Sequence, residues 1–315
     1  MLTAAAGAKP ATPGVRSSVL KWRREHRAQW RSTLATYAYP KLGKLSVASI
    51  TTGDVLGALR PIWTEKPETA SRLRGRIEAI LSYAKAMRWR TGENPAAWSD
   101  NLDHLLPKTG KIARVEHHAA LPWREMGAFM AQLEQQAGIG VLALRFAILT
   151  AVRSGEVRGT MWSEIDMRAG IWTIPKERMK AKREHRVPLS DAAVAILREM
   201  ESLRRDKADA LVFPGAKPGK PLSDMALLMT LRRMERDELT VHGFRSTFRD
   251  WVAEATSYQR ELAETALAHA LTDKTEAAYQ RGDMLEKRRR LMAEWARHCG
   301  TTGAPAGEVV PLRRA

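Results

Sequence analysis

Four side chains able to do chemistry stand close together near the end of the chain. His242 and Arg245 occur in His242-Gly243-Phe244-Arg245, His269 follows Leu267-Ala268, and Tyr279 precedes Gln280-Arg281. An enzyme without a metal ion needs groups of this kind to break and remake a phosphodiester. Tyrosine is one of the few side chains that can form a covalent intermediate, and the planar guanidinium matches phosphate oxygens two at a time. His242 and Arg245 are spaced to share one helix face, and the run from His269 is short enough to return Tyr279 toward it. Taken singly, each has a duller reading, with Tyr279 half-buried in a core and either histidine capping a helix or filling space.

Two further groups lie upstream. Val141 to Val152 is apolar enough for a buried helix, and Arg153 follows it directly. A cation at the mouth of a buried helix is costly unless paired. Its partner is Glu156, the carboxyl end of a helix, or a phosphate. Ser154 is expected to cap the next helix, with Glu156 in its first turn suiting the dipole. Farther on, Ile171–Pro175 alternates in the manner of a strand and His185–Leu189 does so more weakly. Between them runs the charged stretch 176–184, so the segment is a hairpin with a basic tip carrying Lys180 and Lys182.

The order of these groups resembles the tyrosine recombinases, the phage-integrase family. Thr150-Ala151-Val152-Arg153-Ser154-Gly155-Glu156-Val157 is similar to its first arginine box. Arg178-Met179-Lys180 before His185-Arg186-Val187-Pro188-Leu189-Ser190 is similar to its lysine hairpin, in wording close to the integrases of prophages and genomic islands. The resemblance covers about residues 20 to 300. It implies a catalytic set of Arg153, Lys180, His242, Arg245, His269 and Tyr279, with Glu156 orienting Arg153. Lys180 is preferred to Lys182 because it directly follows Met179. The family commonly has Leu-Gly-His where this chain reads Leu267-Ala268-His269, which keeps the histidine. The implied reaction is a metal-free and ATP-independent strand transfer through a 3′-phosphotyrosine, integrating or excising a mobile element. The implied partners are double-stranded DNA at attachment sites, three further copies of the chain in a homotetramer, and an accessory bending or directionality factor. A type IB topoisomerase shares this chemistry, but the helical N-terminal region without large clamps speaks against it. A non-catalytic DNA-binding protein would lack at least one of the six groups.

Composition agrees with a polyanionic partner. The 315 residues carry a net charge of +17, which favours nucleic acid, although an anionic membrane surface also accepts such charge. Residues 1–116 hold 20 Lys and Arg against 9 Asp and Glu, a net of +11, which leaves +6 for the rest. The smaller part thus carries more of the excess. One cysteine, Cys299, excludes an internal disulfide framework and fits a reducing cytosol. No apolar run reaches the ~18 residues of a membrane span, and the start lacks the apolar core of a signal peptide. The expected location is therefore the bacterial cytoplasm, at the nucleoid.

The expected fold is mainly α with a small β-hairpin or sheet: a helical core-binding domain followed by a mixed α/β catalytic domain. Residues 1–16 read as a disordered tail, with no room for the arm-binding domain that such integrases often carry. Residues 17–107 are helical. Thr51 is expected to cap a helix ending at Pro61, and Pro67-Glu68 opens a longer one. In that longer helix Leu73, Ile77, Ile80, Leu81, Ala84 and Met87 form the buried stripe, with Arg72, Arg74 and Arg76 beside it. Basic residues on these helices are expected to contact phosphates rather than bases. Residues 108–118 read as a linker, and its His117-His118 pair lacks the further ligands a metal site needs. No Walker motif occurs near Gly215–Pro221, and no cofactor is implied. Residues 119–300 form the catalytic domain. Its last helix, 284–299, is the candidate for docking on a neighbouring protomer, with packing on its own domain the alternative. A flexible tail, 301–315, follows.

Overall fold

The computed structural model describes residues 24–112, 119–204, 211–269 and 282–302. The chain divides into two compact units, Met1–Glu116 and His117–Ala315. The division falls within the stretch read as a linker. Part of that stretch, Thr109–Ile112, is a short helix, α5, while His117-His118 lies outside the described residues.

The first unit is built from α1 (Arg24–Thr33), a π-helical turn at Leu34–Ala38, α2 (Tyr39–Leu42), α3 (Thr52–Trp63) and α4 (Pro67–Ala86). Thr51 caps α3 in a reciprocal box: its hydroxyl accepts from Asp54 N–H, and the Asp54 carboxylate accepts from Thr51 N–H at 2.9 Å. The helix does not stop at Pro61 but continues to Trp63. Leu73, Ile77, Leu81 and Ala84 of α4 are buried as the spacing implies, whereas Met87 lies past the helix end and is 47% exposed. The arginines of α4 depart further from expectation. Arg76 is buried, donating to the Gln29 carbonyl at 3.1 Å with its guanidinium over the Trp30 ring. Arg74 pairs with Glu78 at 2.7 Å and bonds the Ala96 carbonyl. Both hold the unit together, because a stem along an apolar face leaves its head nearest to backbone carbonyls. Arg72, paired with Glu68, stays exposed.

The second unit is organised around α7 (Ile139–Thr150), buried on almost every side. Packed against it are α6 (Met126–Glu134), α8 (Ser154–Arg158), α9 (Asp191–Ser202), α10 (Ala226–Arg233) and the last helix, α13 (Leu285–Cys299). α11 (Gly243–Ala255) and α12 (Arg260–Ala266) complete the helical part. A small antiparallel sheet runs in the order β1 (Ile165–Asp166), β2 (Ile171–Ile174), β3 (His185–Pro188). β1 is too short to show any alternation in sequence. Trp172 pairs with Val187 and Ile174 with His185. All four are buried, so alternate residues of the hairpin enter the core. Trp172 meets Phe146 of α7 at a ring separation of 5.5 Å.

α13 packs on its own domain. Leu291, Met292, Trp295 and Cys299 join the core, and the Trp295 indole donates to the Ile148 carbonyl at 2.9 Å, an acceptor in the last turn of α7 that it shares with Ala151 N–H. The apolar face read as a docking surface for a neighbour is thus spent within the unit.

Candidate active site

Three helix ends build the site. α7 closes at Ala151, which adopts the left-handed conformation at φ 52°. Arg153, not Ser154, is the cap of α8, with extended backbone. Glu156 grips it twice: one carboxylate oxygen accepts from Arg153 N–H at 3.0 Å and the other from the guanidinium at 3.1 Å. The carboxylate is 6% exposed, whereas about a quarter of the Arg153 side chain remains open to solvent.

α12 ends in a Schellman motif. His269 N–H donates to the Glu264 carbonyl at 3.0 Å and Ala268 N–H to the Thr265 carbonyl at 3.1 Å, with Ala268 left-handed at φ 49°. This explains the glycine expected at position 268: left-handed backbone costs a residue with a Cβ about 1–2 kcal/mol. Alanine carries that strain and keeps the turn. The motif sets His269 beside Glu264, whose carboxylate meets the ring Nδ1 at 2.6 Å. Arg249 stands 3.0 Å from the other Glu264 oxygen as an ion pair, though without hydrogen-bond alignment.

Arg245, in the first turn of α11, joins the two helix ends. It donates to the Ala151 carbonyl, to the Leu267 carbonyl at 2.7 Å and to His269 Nε2 at 3.0 Å. Arg153 reaches the same turn, donating to the Ala268 carbonyl at 3.4 Å. Both guanidiniums therefore sit against helix C-termini, where the dipole is negative and carbonyls lack intrahelical partners. Because a guanidinium only donates, His269 Nε2 accepts, and its proton resides on Nδ1 facing Glu264. Burial, then repulsion from Arg153, lowers the Arg245 pKa to about 10, which still leaves it charged at neutral pH. Its Nε is buried with no hydrogen-bond partner among the described residues.

The structure thus brings Arg153, Glu156, Arg245 and His269 into one cluster. His242 occupies the cap position of α11, exposed, its carbonyl accepting from Arg245 N–H at 3.1 Å. Gly243 follows because the chain passes there: a Cβ would stand 2.2 Å from the Ala119 carbonyl oxygen. Lys180 and Lys182 are both exposed on the hairpin tip. Lys180 directly follows Met179, which is buried in the core, and Lys182 is left-handed at φ 56°. Tyr279 lies outside the described residues. Among the described residues no three His, Cys, Asp or Glu side chains gather to hold a metal ion. What the cluster offers an anion is guanidinium N–H.

Three contributors were given no role in the site from the sequence. Glu264 could have been found by its place five residues before His269 in a helix-ending turn. Arg178 binds both Glu164 and the Glu156 carbonyl, tying the hairpin to α8. Its neighbours in sequence give no sign of this. His185 was visible as part of the hairpin, and the period of two placing it on the inner face with Val187 was the missed signal. The ring bonds the Ala266 carbonyl and feels the charges of Arg288, Arg245 and Arg153; burial, foremost, lowers its pKa to about 4.

Comparison with known proteins identifies the family. Residues 15–101 match the model for the phage integrase central domain and residues 121–286 that for the phage integrase family. The chain is 36% identical over 277 residues to the prophage integrase IntZ of Escherichia coli K12, covering 87% of this chain and 66% of IntZ. It is 30% identical to the integrase of Enterobacteria phage P4, covering 88% of this chain and 65% of that protein. It therefore spans slightly less than two thirds of these relatives' length. Among solved structures, a lambda integrase dimer bound to a COC′ core site superposes with a TM-score of 0.61 at 17% identity, covering 81% of this chain and 91% of that one. The Tn1549 transposon integrase in complex with circular intermediate DNA gives 0.59 at 13%, covering 83% and 95%. The fold is shared with these structures, and the chain belongs to the phage integrase family, the tyrosine recombinases.

Proposed function

We propose that this protein is a site-specific DNA recombinase that cuts and rejoins strands through a 3′-phosphotyrosine, integrating or excising a prophage or related mobile element. The observation that carries the reading is the pairing of Arg153 and Arg245 across two helix ends, with His269 bonded to Arg245 and backed by Glu264.

Tyr279 attacks the scissile phosphorus and the bond to the 5′-oxygen breaks. The tyrosine proton passes to His242, and Lys180 protonates the departing 5′-oxygen. Arg153 and Arg245 hold the non-bridging oxygens as charge builds on the pentacoordinate phosphorus, stabilisation from guanidiniums already anchored at two helix ends. A proton from solvent lets His269 donate through Nε2 to a non-bridging oxygen, with Glu264 accepting at Nδ1. Rejoining reverses these transfers: a 5′-hydroxyl attacks the phosphotyrosine, so the bond energy is retained and no nucleotide is consumed. The partner is double-stranded DNA, contacted by a core-binding unit that includes residues 17–107 and by the catalytic unit. A homotetramer on DNA supplies the partner strands, as in the lambda integrase tetramer bound to a Holliday junction, and an accessory factor sets direction. The site of action is the cytoplasm; no helix among the described residues is long and apolar enough to cross a membrane.

The test is incubation with a nicked suicide duplex bearing the attachment core, in EDTA. A denaturation-resistant protein–DNA adduct is expected with the unmodified chain and none with Tyr279→Phe. Adduct in the Phe variant removes Tyr279 from the proposal, and loss of reaction in EDTA points to a nuclease.

A further inference from the structure

Residues 175–184 join β2 to β3 outside the sheet, and Lys180 stands among them. Two adjacent side chains anchor this stretch. Met179 is buried in the core, and the turn that carries Lys180 closes on it, with Lys182 N–H donating to the Met179 carbonyl at 3.2 Å. Arg178 goes to polar partners instead: Nη1 donates to both oxygens of the Glu164 carboxylate, and Nη2 donates to the Glu156 carbonyl of α8. Glu164 is itself held. Its side chain is 7% exposed, and one oxygen also accepts at 3.0 Å from the indole of Trp172, which is buried on β2. Gly159, the cap of α8, leaves space for the guanidinium, since a Cβ there would stand 2.9 Å from Nη2. A buried carboxylate needs its cation. A planar fork that satisfies this carboxylate and binds a carbonyl as well fixes two elements at a set separation.

We propose that Arg178, braced by Glu164, is a positioning residue for Lys180, mooring the hairpin to α8 so that the backbone of the lysine is held at a set place relative to Arg153. This rests on Lys180 being the acid for the departing 5′-oxygen. The fixed side of the mooring is α8, where the Glu156 carboxylate grips Arg153 through both its N–H and its guanidinium. One residue thus serves both groups, Arg153 through its side chain and the hairpin through its carbonyl. Arg178 lies two residues before Lys180, so the Lys180 Cα stays within about 7 Å of the Arg178 Cα. The lysine side chain is exposed, on a flexible four-carbon stem, and its reach is useful only if the stem starts from a fixed point. Neither Arg178 nor Glu164 touches a reacting atom in this reading. Their effect runs through where the ammonium stands when the bond to the 5′-oxygen breaks.

The test uses the full chain and two suicide duplexes, one with the ordinary 5′-oxygen at the scissile phosphate and one with sulfur in its place. An alkoxide needs a proton in order to leave, whereas a thiol, with a pKa of about 8.5, departs as thiolate without one. Adduct formation on each duplex, DNA affinity and melting temperature are measured for Arg178→Lys, for Arg178→Met combined with Glu164→Gln, and for Lys180→Ala. Arg178→Lys keeps a cation for Glu164 but has no fork to bind the Glu156 carbonyl as well. The double variant removes both charges together, so no lone charge is left buried. Both are expected to slow adduct formation on the oxygen duplex at least about tenfold, part of the contribution of a general acid. On the sulfur duplex both should run within about threefold of the unmodified chain, as Lys180→Ala should too, because no proton is then required. Equal slowing on the two duplexes, which a merely structural defect or weaker DNA binding would give, overturns the mooring, as does an unchanged rate on the oxygen duplex. Lys180→Ala remaining slow on the sulfur duplex instead overturns the assignment of the acid, a result separate from any outcome with the Arg178 variants.

Discussion

Acidification should destabilise the second unit through one residue, His185. It is 8% exposed, with its Nε2 buried and without a hydrogen-bond partner among the described residues. Burial is the main reason its pKa falls from 6.5 to about 4, and Arg288, Arg245 and Arg153 push the same way against the Ala266 carbonyl. The folded state thus binds this proton more weakly than the unfolded chain does. The stability from His185 is fully present above about pH 6.5 and is lost as the pH falls toward 4. A shift from 6.5 to about 4, at 1.36 kcal/mol per unit, amounts to roughly 3 kcal/mol, a large part of a domain's 5–15 kcal/mol. His185→Asn keeps a donor where Nδ1 stands and removes the titration. Urea denaturation followed by tryptophan fluorescence at pH 7, 6, 5 and 4 compares the two chains. The carboxylates and the first unit are common to both and cancel in the difference. The unmodified protein should lose about 3 kcal/mol more than the variant over this interval, most of it below pH 6. Parallel stability curves from pH 7 to pH 4 would falsify this account of His185.

Other substitutions probe the site. Glu264→Gln removes the charge behind His269, so adduct formation on the suicide duplex should fall about a hundredfold, within the range of a single acid–base contribution, while DNA affinity is kept. Ala268→Gly relieves the left-handed strain at some cost in chain entropy. It should raise stability by about 0.5–1 kcal/mol, read as a melting temperature roughly 2 °C higher; a lower melting temperature contradicts the Schellman turn. Gly243→Ala forces a Cβ against the Ala119 carbonyl, with only backbone atoms to give way. A loss of at least about 2 kcal/mol in denaturation is expected, and full stability would mean that the close approach is absent.

Much of the architecture was legible along the chain because local rules govern it. The Thr51 cap needs only Asp54 three residues later, and the apolar run Val141–Val152 had to be buried whatever surrounds it. Boundaries that depend on a single favourable residue were less secure. Pro61 was read as a stop, yet α3 continues past it to Trp63, and the cap of α8 fell on Arg153 rather than Ser154. The face of α13 was correctly apolar, but an apolar stripe does not say whether it covers its own core or a neighbour's.

The candidate site divides in the same way. Side-chain types and their order, through the family they resemble, named Arg153, Arg245 and His269, and the structure brings these three together. Only the tertiary structure decided what each one holds. Arg76 and Arg245 look alike on paper, yet one braces the Gln29 carbonyl in the first unit and the other spans the ends of α7 and α12. Their acceptors are backbone carbonyls, which every residue possesses. Which carbonyl has a lone pair to spare and faces a guanidinium is therefore set by how helices pack and end against one another, not by any letter of the sequence.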